Sequence, residues 1–344
     1  MATMTSAQEK KLRLLRTYVG GHPVWCTWQV TYRCDFRCRF CPYWHDPMGQ
    51  LPEQSVADFE VGSRKLARWG SLLISLAGGE PLLRDDLVDV VRAVGKWHFP
   101  FVTTNGYYAT PELAKELFAA GLWGVSVSLD YTQAARHDLA RGVQGAYERA
   151  LAALEMFSAA RQYPWQRVNM MAVLLDDNLG EVEGLIQLAA ERGAYFMIQP
   201  YCQEKTGSER FRPKVGGVSE HLLGLRQRYS NFLSNPYFLS RFDEALNGCV
   251  AGCAAGRAFF NIDSTGDVAV CVERRAHPVG NLYRDEPAEL ARVLRREARE
   301  NTCQACWYNC RGEVESLYRL VGLVKSLPTW LFDRGRPSGG NGGT

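Results

Sequence analysis

Val24-Trp25-Cys26-Thr27-Trp28-Gln29-Val30-Thr31-Tyr32-Arg33-Cys34-Asp35-Phe36-Arg37-Cys38-Arg39-Phe40-Cys41 joins a short apolar run to a loop that carries three cysteines. Trp25–Val30 has the length and the aromatic and β-branched content of a strand. The loop behind it spaces Cys34, Cys38 and Cys41 as C-x3-C-x2-C. Three thiolates close together on one loop can hold three corners of a cubic [4Fe–4S] cluster. A structural cluster calls for a fourth sulfur, whereas three leave one iron open to a ligand. The competing account is a zinc knuckle, but structural zinc prefers four ligands in paired C-x2-C hooks.

Outward from this stretch the same strand-then-helix unit recurs. Strands are expected at Trp25–Val30, Leu72–Ala77, Phe99–Thr103, Gly124–Leu129, Val168–Leu175 and Tyr195–Gln199. Helices are expected near Glu53–Trp69, Asp85–Trp97, Pro111–Ala120, Ala135–Arg161 and Gly180–Arg192, with more helix from Ser219 to Leu246. Alternating strands and longer amphipathic segments argue for a parallel sheet with crossover helices. Six units make the fold class α/β, a partial (β/α)6 barrel of TIM type. In such folds chemistry gathers at the C-terminal ends of the strands.

Composition narrows the function classes. The 344 residues carry a net charge of +3, so nothing global argues for nucleic acid. Met1 to Lys11 is polar and basic where a secretory signal needs an apolar core. Eleven cysteines are many for an oxidised secreted enzyme, and those that must stay reduced to bind metal imply a cytoplasmic protein.

The strand ends carry the next signals. Gly78-Gly79-Glu80-Pro81 follows the second strand, with two glycines that allow close approach and a carboxylate that could accept from an ammonium group. Thr103-Thr104-Asn105-Gly106 follows the third, where an Asn-Gly turn is a sufficient physical account. Ser126, Ser128 and Asp130 alternate with Val127 and Leu129 on the fourth. His137-Asp138-Leu139-Ala140-Arg141-Gly142 comes next, either a solvated junction or a site for an anion-binding arginine.

The three-cysteine loop, Phe40 within it and the Gly78–Pro81 stretch resemble the radical S-adenosylmethionine (radical SAM) superfamily. The resemblance implies that Cys34, Cys38 and Cys41 hold a [4Fe–4S] cluster whose open iron binds S-adenosylmethionine. One electron would then cleave the sulfonium to methionine and a 5′-deoxyadenosyl radical, which abstracts hydrogen from substrate. It further implies that Gly78, Gly79, Glu80 and Pro81 receive the methionine ammonium, and that Asn105, Ser128 and Asp130 lie around the cofactor. Arg141 would clamp the methionine carboxylate, with His137 a structural hydrogen bonder. Ile198 and Tyr43 would line the adenine pocket, although core packing accounts equally well for Ile198 and a surface position for Tyr43. Asn169 could reach the ribose. Tyr131, where the family usually has a small residue, is a departure expected to reshape the substrate side.

Six of the eleven cysteines fall between Cys249 and Cys310. Cys253-x12-Gly266-x4-Cys271 brackets a hairpin with its turn at Ser264 to Asp267, and Cys303-x2-Cys306-x3-Cys310 completes the group. This resembles the SPASM/twitch type of C-terminal extension, which implies auxiliary [4Fe–4S] clusters. Two full clusters would need eight cysteines, so one is expected, on Cys253, Cys271, Cys303 and either Cys306 or Cys310, with Cys249 not excluded. A four-cysteine zinc site is the alternative. Cys26 and Cys202 have no spacing partner and read as ordinary buried thiols. Full ligation would favour electron transfer over substrate binding at the auxiliary cluster.

The expected organisation is an N-terminal extension (1–23), a barrel with linker helices (24–246), a cysteine-rich module (247–315) and an amphipathic, Gly/Ser-ended tail (316–344). Lys10–Arg16 and Leu317–Leu327 are amphipathic and basic, suited to capping an open barrel or to an anionic membrane surface. Partners implied are a reductant such as flavodoxin or ferredoxin and a small-molecule, lipid or peptide substrate. Only 33 residues precede Cys34, which leaves little room for a leader-peptide-recognition domain in this chain. Tyr201 and Glu204 are the acid–base candidates by position. A non-catalytic iron–sulfur or zinc-binding scaffold is the rival reading, and the ammonium acceptor at Glu80 argues against it.

Overall fold

A computed structural model describes residues 7–318. Six parallel strands form the barrel wall: Trp25–Thr31 (β1), Leu73–Gly78 (β2), Phe99–Thr104 (β3), Gly124–Ser128 (β4), Arg167–Leu174 (β5) and Tyr195–Pro200 (β6). Each differs from its sequence expectation by a residue or so at the ends. Three further strands, Phe259–Ile262 (β7), Asp267–Ala269 (β8) and Gly280–Asn281 (β9), extend the same sheet in the order β6-β5-β4-β3-β2-β1-β7-β8-β9. The cysteine-rich segment thus continues the barrel sheet. Its first strand runs parallel to β1 in the register Trp25↔Phe259 to Trp28↔Ile262.

The hairpin turn follows from its chemistry. Asp263 Oδ1 accepts from the backbone N–H groups of Thr265 (2.8 Å) and Asp267 (3.0 Å). Gly266 has φ +87°, and a Cβ there would meet the Tyr283 ring at 2.3 Å.

Two expected helices are broken. The stretch expected at Ala135–Arg161 forms Ala134–Arg141 and Ala146–Ala160, parted by Gly142 and Gly145, both at positive φ. Asp138 holds the break by accepting from Gly145 N (2.6 Å) and Tyr147 N (2.9 Å). A Cβ on Gly142 would stand 2.6 Å from Arg37 O, so the break lets this helix end press onto the cysteine loop. Between Ser219 and Leu246 the chain makes Val218–Arg228, Pro236–Leu239 and Phe242–Leu246, restarted by Pro236 behind an Asn235 cap.

The N-terminal helix Ala7–Val19 lies across the barrel bottom in an unexpected sense. Lys10 is buried and donates to Gly95 O at 2.9 Å, and Thr17 Oγ1 donates to Ser71 O at 2.8 Å. The apolar stripe Leu12, Leu15 and Val19 faces outward. The Leu317–Leu327 segment lies outside the described residues beyond Tyr318, as does the tail. Among the described residues no helix is long and apolar enough to cross a membrane.

Candidate active site

A cavity of about 500 Å³ fills the barrel from the cysteine loop to the N-terminal helix. Its upper wall comprises Cys34, Cys38, Phe40, Cys41, Tyr43, Gly78, Gly79, Glu80, Asn105, Ser128 and Arg141, which the sequence singled out one strand end at a time. Pro81, Asp130 and Ile198 are buried but do not line it. Pro81 starts the 3-10 turn Pro81–Leu83 behind Glu80. Ile198 points into the core between sheet and helices; strand alternation gives the cavity its neighbours Met197 and Gln199 instead. Tyr131 is also off the wall, buried with its hydroxyl on Asp177 Oδ1 at 2.7 Å.

Gly78 and Gly79 make room for the cysteine loop itself. A Cβ on Gly78 would lie 1.8 Å from Thr31 O, and one on Gly79 2.0 Å from Arg33 O. The same contacts bond the two segments, Gly79 N to Thr31 O (2.9 Å) and Glu80 N to Arg33 O (2.8 Å). The motif therefore docks Glu80 beside the cysteines, a closer fit than the ligand approach expected of it.

The Glu80 carboxylate is held on both oxygens. Oε1 accepts from Leu82 N (2.9 Å) and Thr104 Oγ1 (2.6 Å), and Oε2 accepts from Asn105 N (2.6 Å). Burial nevertheless pushes its pKa up to about 7, against the pull of these donors. Asn105 spends its own side chain on positioning, donating to Asp35 Oδ1 (3.0 Å) and accepting from Tyr107 N (2.8 Å).

Arg141 and Asp130 form a buried pair, Nε to Oδ2 at 2.7 Å. Asp130 Oδ1 also accepts from Val173 N at 2.9 Å, so this aspartate anchors the arginine and leaves the cavity wall to Ser126 and Ser128. The guanidinium lies 5.1 Å from the Phe40 ring centroid and places Nη1 4.0 Å from Cys38 Sγ. His137 accepts from Asp130 N at 3.3 Å, and burial lowers its pKa to about 4.

The thiols suit a cationic centre. Burial pushes Cys34 and Cys38 up to about 12, with Arg141 pulling Cys38 back in part. Left alone these sulfurs keep their protons; iron would supply the charge that draws them off.

In the C-terminal group, Cys253, Cys271 and Cys303 pack in one apolar cluster with Val24, Phe259 and Val314. Burial raises Cys306 and Cys310 strongly, and Cys253 and Cys271 lie close enough to raise both further. Cys310 reaches the main cavity, whereas Cys249 is exposed. Among the described residues no three cysteine, histidine or acidic side chains form a group able to hold a single metal ion. A cubane places each sulfur on a separate iron at a separate corner.

Several wall residues were not foreseen. Cys202 lines the cavity and is near enough to Cys306 to raise its pKa. Lys205 is paired with Glu273 at 2.9 Å and stands 5.0 and 5.3 Å from the ring centroids of Tyr43 and Tyr308. Glu313 accepts from Asn235 N and is pushed up to about 7 by burial. Proximity to C-x2-C-x3-C could have flagged Tyr308 and Glu313; nothing local flags Lys205. Of the acid–base candidates, Tyr201 is on the wall with its hydroxyl on Thr206 and Ser208, while Glu204 lies outside the cavity.

Comparison with known proteins follows the same lines. A family model described as Radical SAM superfamily matches residues 28–189. An AdoMet-dependent heme synthase of Methanosarcina barkeri is 34% identical over 90% of this chain and 96% of its own length. Mycofactocin maturase MftC of Mycolicibacterium smegmatis is 28% identical over 94% of this chain and 86% of its own length. Among solved structures, Streptococcus suis SuiB bound to precursor peptide SuiA superposes with a TM-score of 0.62 at 18% identity, covering 83% of this chain and 68% of that one. At that identity the likeness shows the fold alone.

Proposed function

The chain belongs to the radical SAM superfamily, and we propose that Cys34, Cys38 and Cys41 carry its catalytic [4Fe–4S] cluster with S-adenosylmethionine in the upper cavity. The protein is an enzyme that uses both groups. When bound, they supply a carbon radical, made by one-electron cleavage of the sulfonium, that abstracts hydrogen from a substrate. The observation that carries the assignment is the convergence of all three loop cysteines, Glu80 and Arg141 on one cavity wall.

Glu80 presents its remaining acceptor capacity to the methionine ammonium, and the donors from Leu82, Thr104 and Asn105 hold the carboxylate still. Arg141, fixed by Asp130 through Nε, keeps its outer nitrogens for the methionine carboxylate and for the charge on Cys38. Phe40 backs the guanidinium. Tyr43 and Ser128 complete the wall.

Residues 247–315 act as the auxiliary module. We assign its cluster to Cys253, Cys271, Cys303 and either Cys306 or Cys310, leaving the exposed Cys249 outside the set; the packing of Cys253, Cys271 and Cys303 in one apolar cluster supports this choice. Four sulfurs and no open iron favour electron transfer. The work is done in a reducing compartment such as the cytoplasm, with a flavodoxin- or ferredoxin-type reductant. The outward Leu12, Leu15 and Val19 stripe supports peripheral membrane contact. A maturase and a heme synthase among the relatives support either maturation of a precursor or synthesis of a small molecule.

The test is electron paramagnetic resonance of the anaerobically reconstituted, reduced protein. Adding S-adenosylmethionine changes the spectrum of the three-cysteine cluster if the amino acid end binds its open iron. A spectrum indifferent to S-adenosylmethionine leaves the scaffold reading standing.

A further inference from the structure

We propose that the lower half of the cavity is a substrate chamber for a planar aromatic group bearing a hydrogen-bond donor, a reading that rests on assigning the upper half to S-adenosylmethionine. The barrel interior is layered. Along β1 the inward residues run Trp25, Thr27 and Gln29 from bottom to top, and along β5 they run Arg167, Asn169 and Met171. The floor is aromatic with Arg167 at its β5 side, the middle is a polar belt, and the cysteine loop stands above both.

Parallel barrels ordinarily fill their interiors with layers of branched aliphatic side chains. Here the lowest layer is Trp25, Phe99, Phe101 and Trp123 around open space. Trp25 and Phe101 lie nearly face to face with centroids 5.9 Å apart and planes at 29°, and Phe99 meets Trp123 edge-on at 4.5 Å. Trp25, Phe101 and Trp123 are only half-buried although they stand on the cavity wall, so each offers ring surface to the chamber.

The belt above them supplies the second observation. Gln29 donates through Nε2 to Asn261 Oδ1 at 3.0 Å, and its Oε1 is buried without a partner. Asn169 donates through Nδ2 to Ser126 Oγ at 3.2 Å, and its Oδ1 is likewise unpaired. The two residues are 1% and 5% exposed, and both line the cavity. Buried polar groups in native proteins are nearly always paired. Two orphaned carbonyls on one belt are acceptors for an N–H or O–H brought by a ligand. A ring bearing such a donor would lie on the aromatic layer and present its polar edge to Gln29 and Asn169. Its substituents would then point up toward the cofactor.

Equilibrium dialysis of the reconstituted full chain with saturating S-adenosylmethionine tests this, using indole, 1-methylindole and cyclohexanol as probes. Indole is expected to be retained, with 1-methylindole about tenfold weaker because one buried hydrogen bond is lost. Cyclohexanol, a donor without a ring, is expected to be weaker still. Gln29→Leu and Asn169→Leu each erase part of the indole preference, and Phe101→Leu weakens both indoles while S-adenosylmethionine still binds. Equal retention of indole and 1-methylindole by the parent overturns the proposal, as does no retention of indole with S-adenosylmethionine bound. Failure to bind S-adenosylmethionine at all overturns the assignment of the upper half, and this proposal falls with it.

Discussion

Glu80→Gln separates the charge of the ammonium acceptor from its shape. In the folded chain this carboxyl rises from 4.5 to about 7 because it is buried. The folded state therefore binds more protons than the unfolded chain between those values, and stability falls as pH rises through that window. The full rise corresponds to about 3 kcal/mol. A ligand ammonium that pairs only with the ionised form reverses the sense for binding. With a carboxyl near 7, roughly a tenth is ionised at pH 6 and nine tenths at pH 8, so affinity should climb about tenfold across that range. Glutamine also turns a donor toward Leu82 N and Thr104 Oγ1 or toward Asn105 N, which costs about 1–3 kcal/mol in unsatisfied bonds. The assays are denaturation of the iron-free chain and equilibrium binding of S-adenosylmethionine to the reconstituted chain, each at pH 6, 7 and 8. The parent should lose stability and gain affinity along that series. Glu80→Gln should be flat in stability and at least tenfold weaker in binding, without the pH trend. Parent affinity that ignores pH, or a glutamine variant that binds as well, would refute the reasoning.

Three other outcomes follow from named contacts. Gly142→Ala combines a +71° φ with a Cβ 2.6 Å from Arg37 O, so it should destabilise by about 1–3 kcal/mol and lower the iron taken up by the cysteine loop, read by denaturation and iron assay. Ile198→Ala should cost about 2–5 kcal/mol as a core truncation while S-adenosylmethionine affinity in the folded protein stays unchanged; weakened binding would put Ile198 back on the adenine. Cys271→Ala should remove about four irons per chain and Cys249→Ala none, and the reverse result would put Cys249 in the ligand set in place of Cys271.

The barrel was legible because its information is local. Apolar runs such as Leu72–Ala77 are followed by glycine or polar strand ends, and those ends converge wherever the strands are parallel. Glu80 and the three loop cysteines were readable for that reason. What the sequence hid depends on direction or on distant partners. Asp130 continues the alternation of Ser126 and Ser128 on paper, yet it lies past the end of β4 and turns to Arg141 and Val173 N. Ile198 and Gln199 are neighbours in sequence but face opposite sides of β6. The break at Gly142 was masked by strong helix formers on both sides. The left-handed glycines, the Asp138 bonds to Gly145 N and Tyr147 N, and the close approach of Arg37 O together explain it. Lys205, Tyr308 and Glu273 come together from three loops, and no spacing rule connects them.

The most direct measurement is 5′-deoxyadenosine formed from S-adenosylmethionine and dithionite by the anaerobically reconstituted chain, alongside Cys34→Ala. The account predicts about eight irons per parent chain and product from the parent alone. Iron incorporated without cleavage, although S-adenosylmethionine binds at the cluster and reductant is in excess, would contradict it.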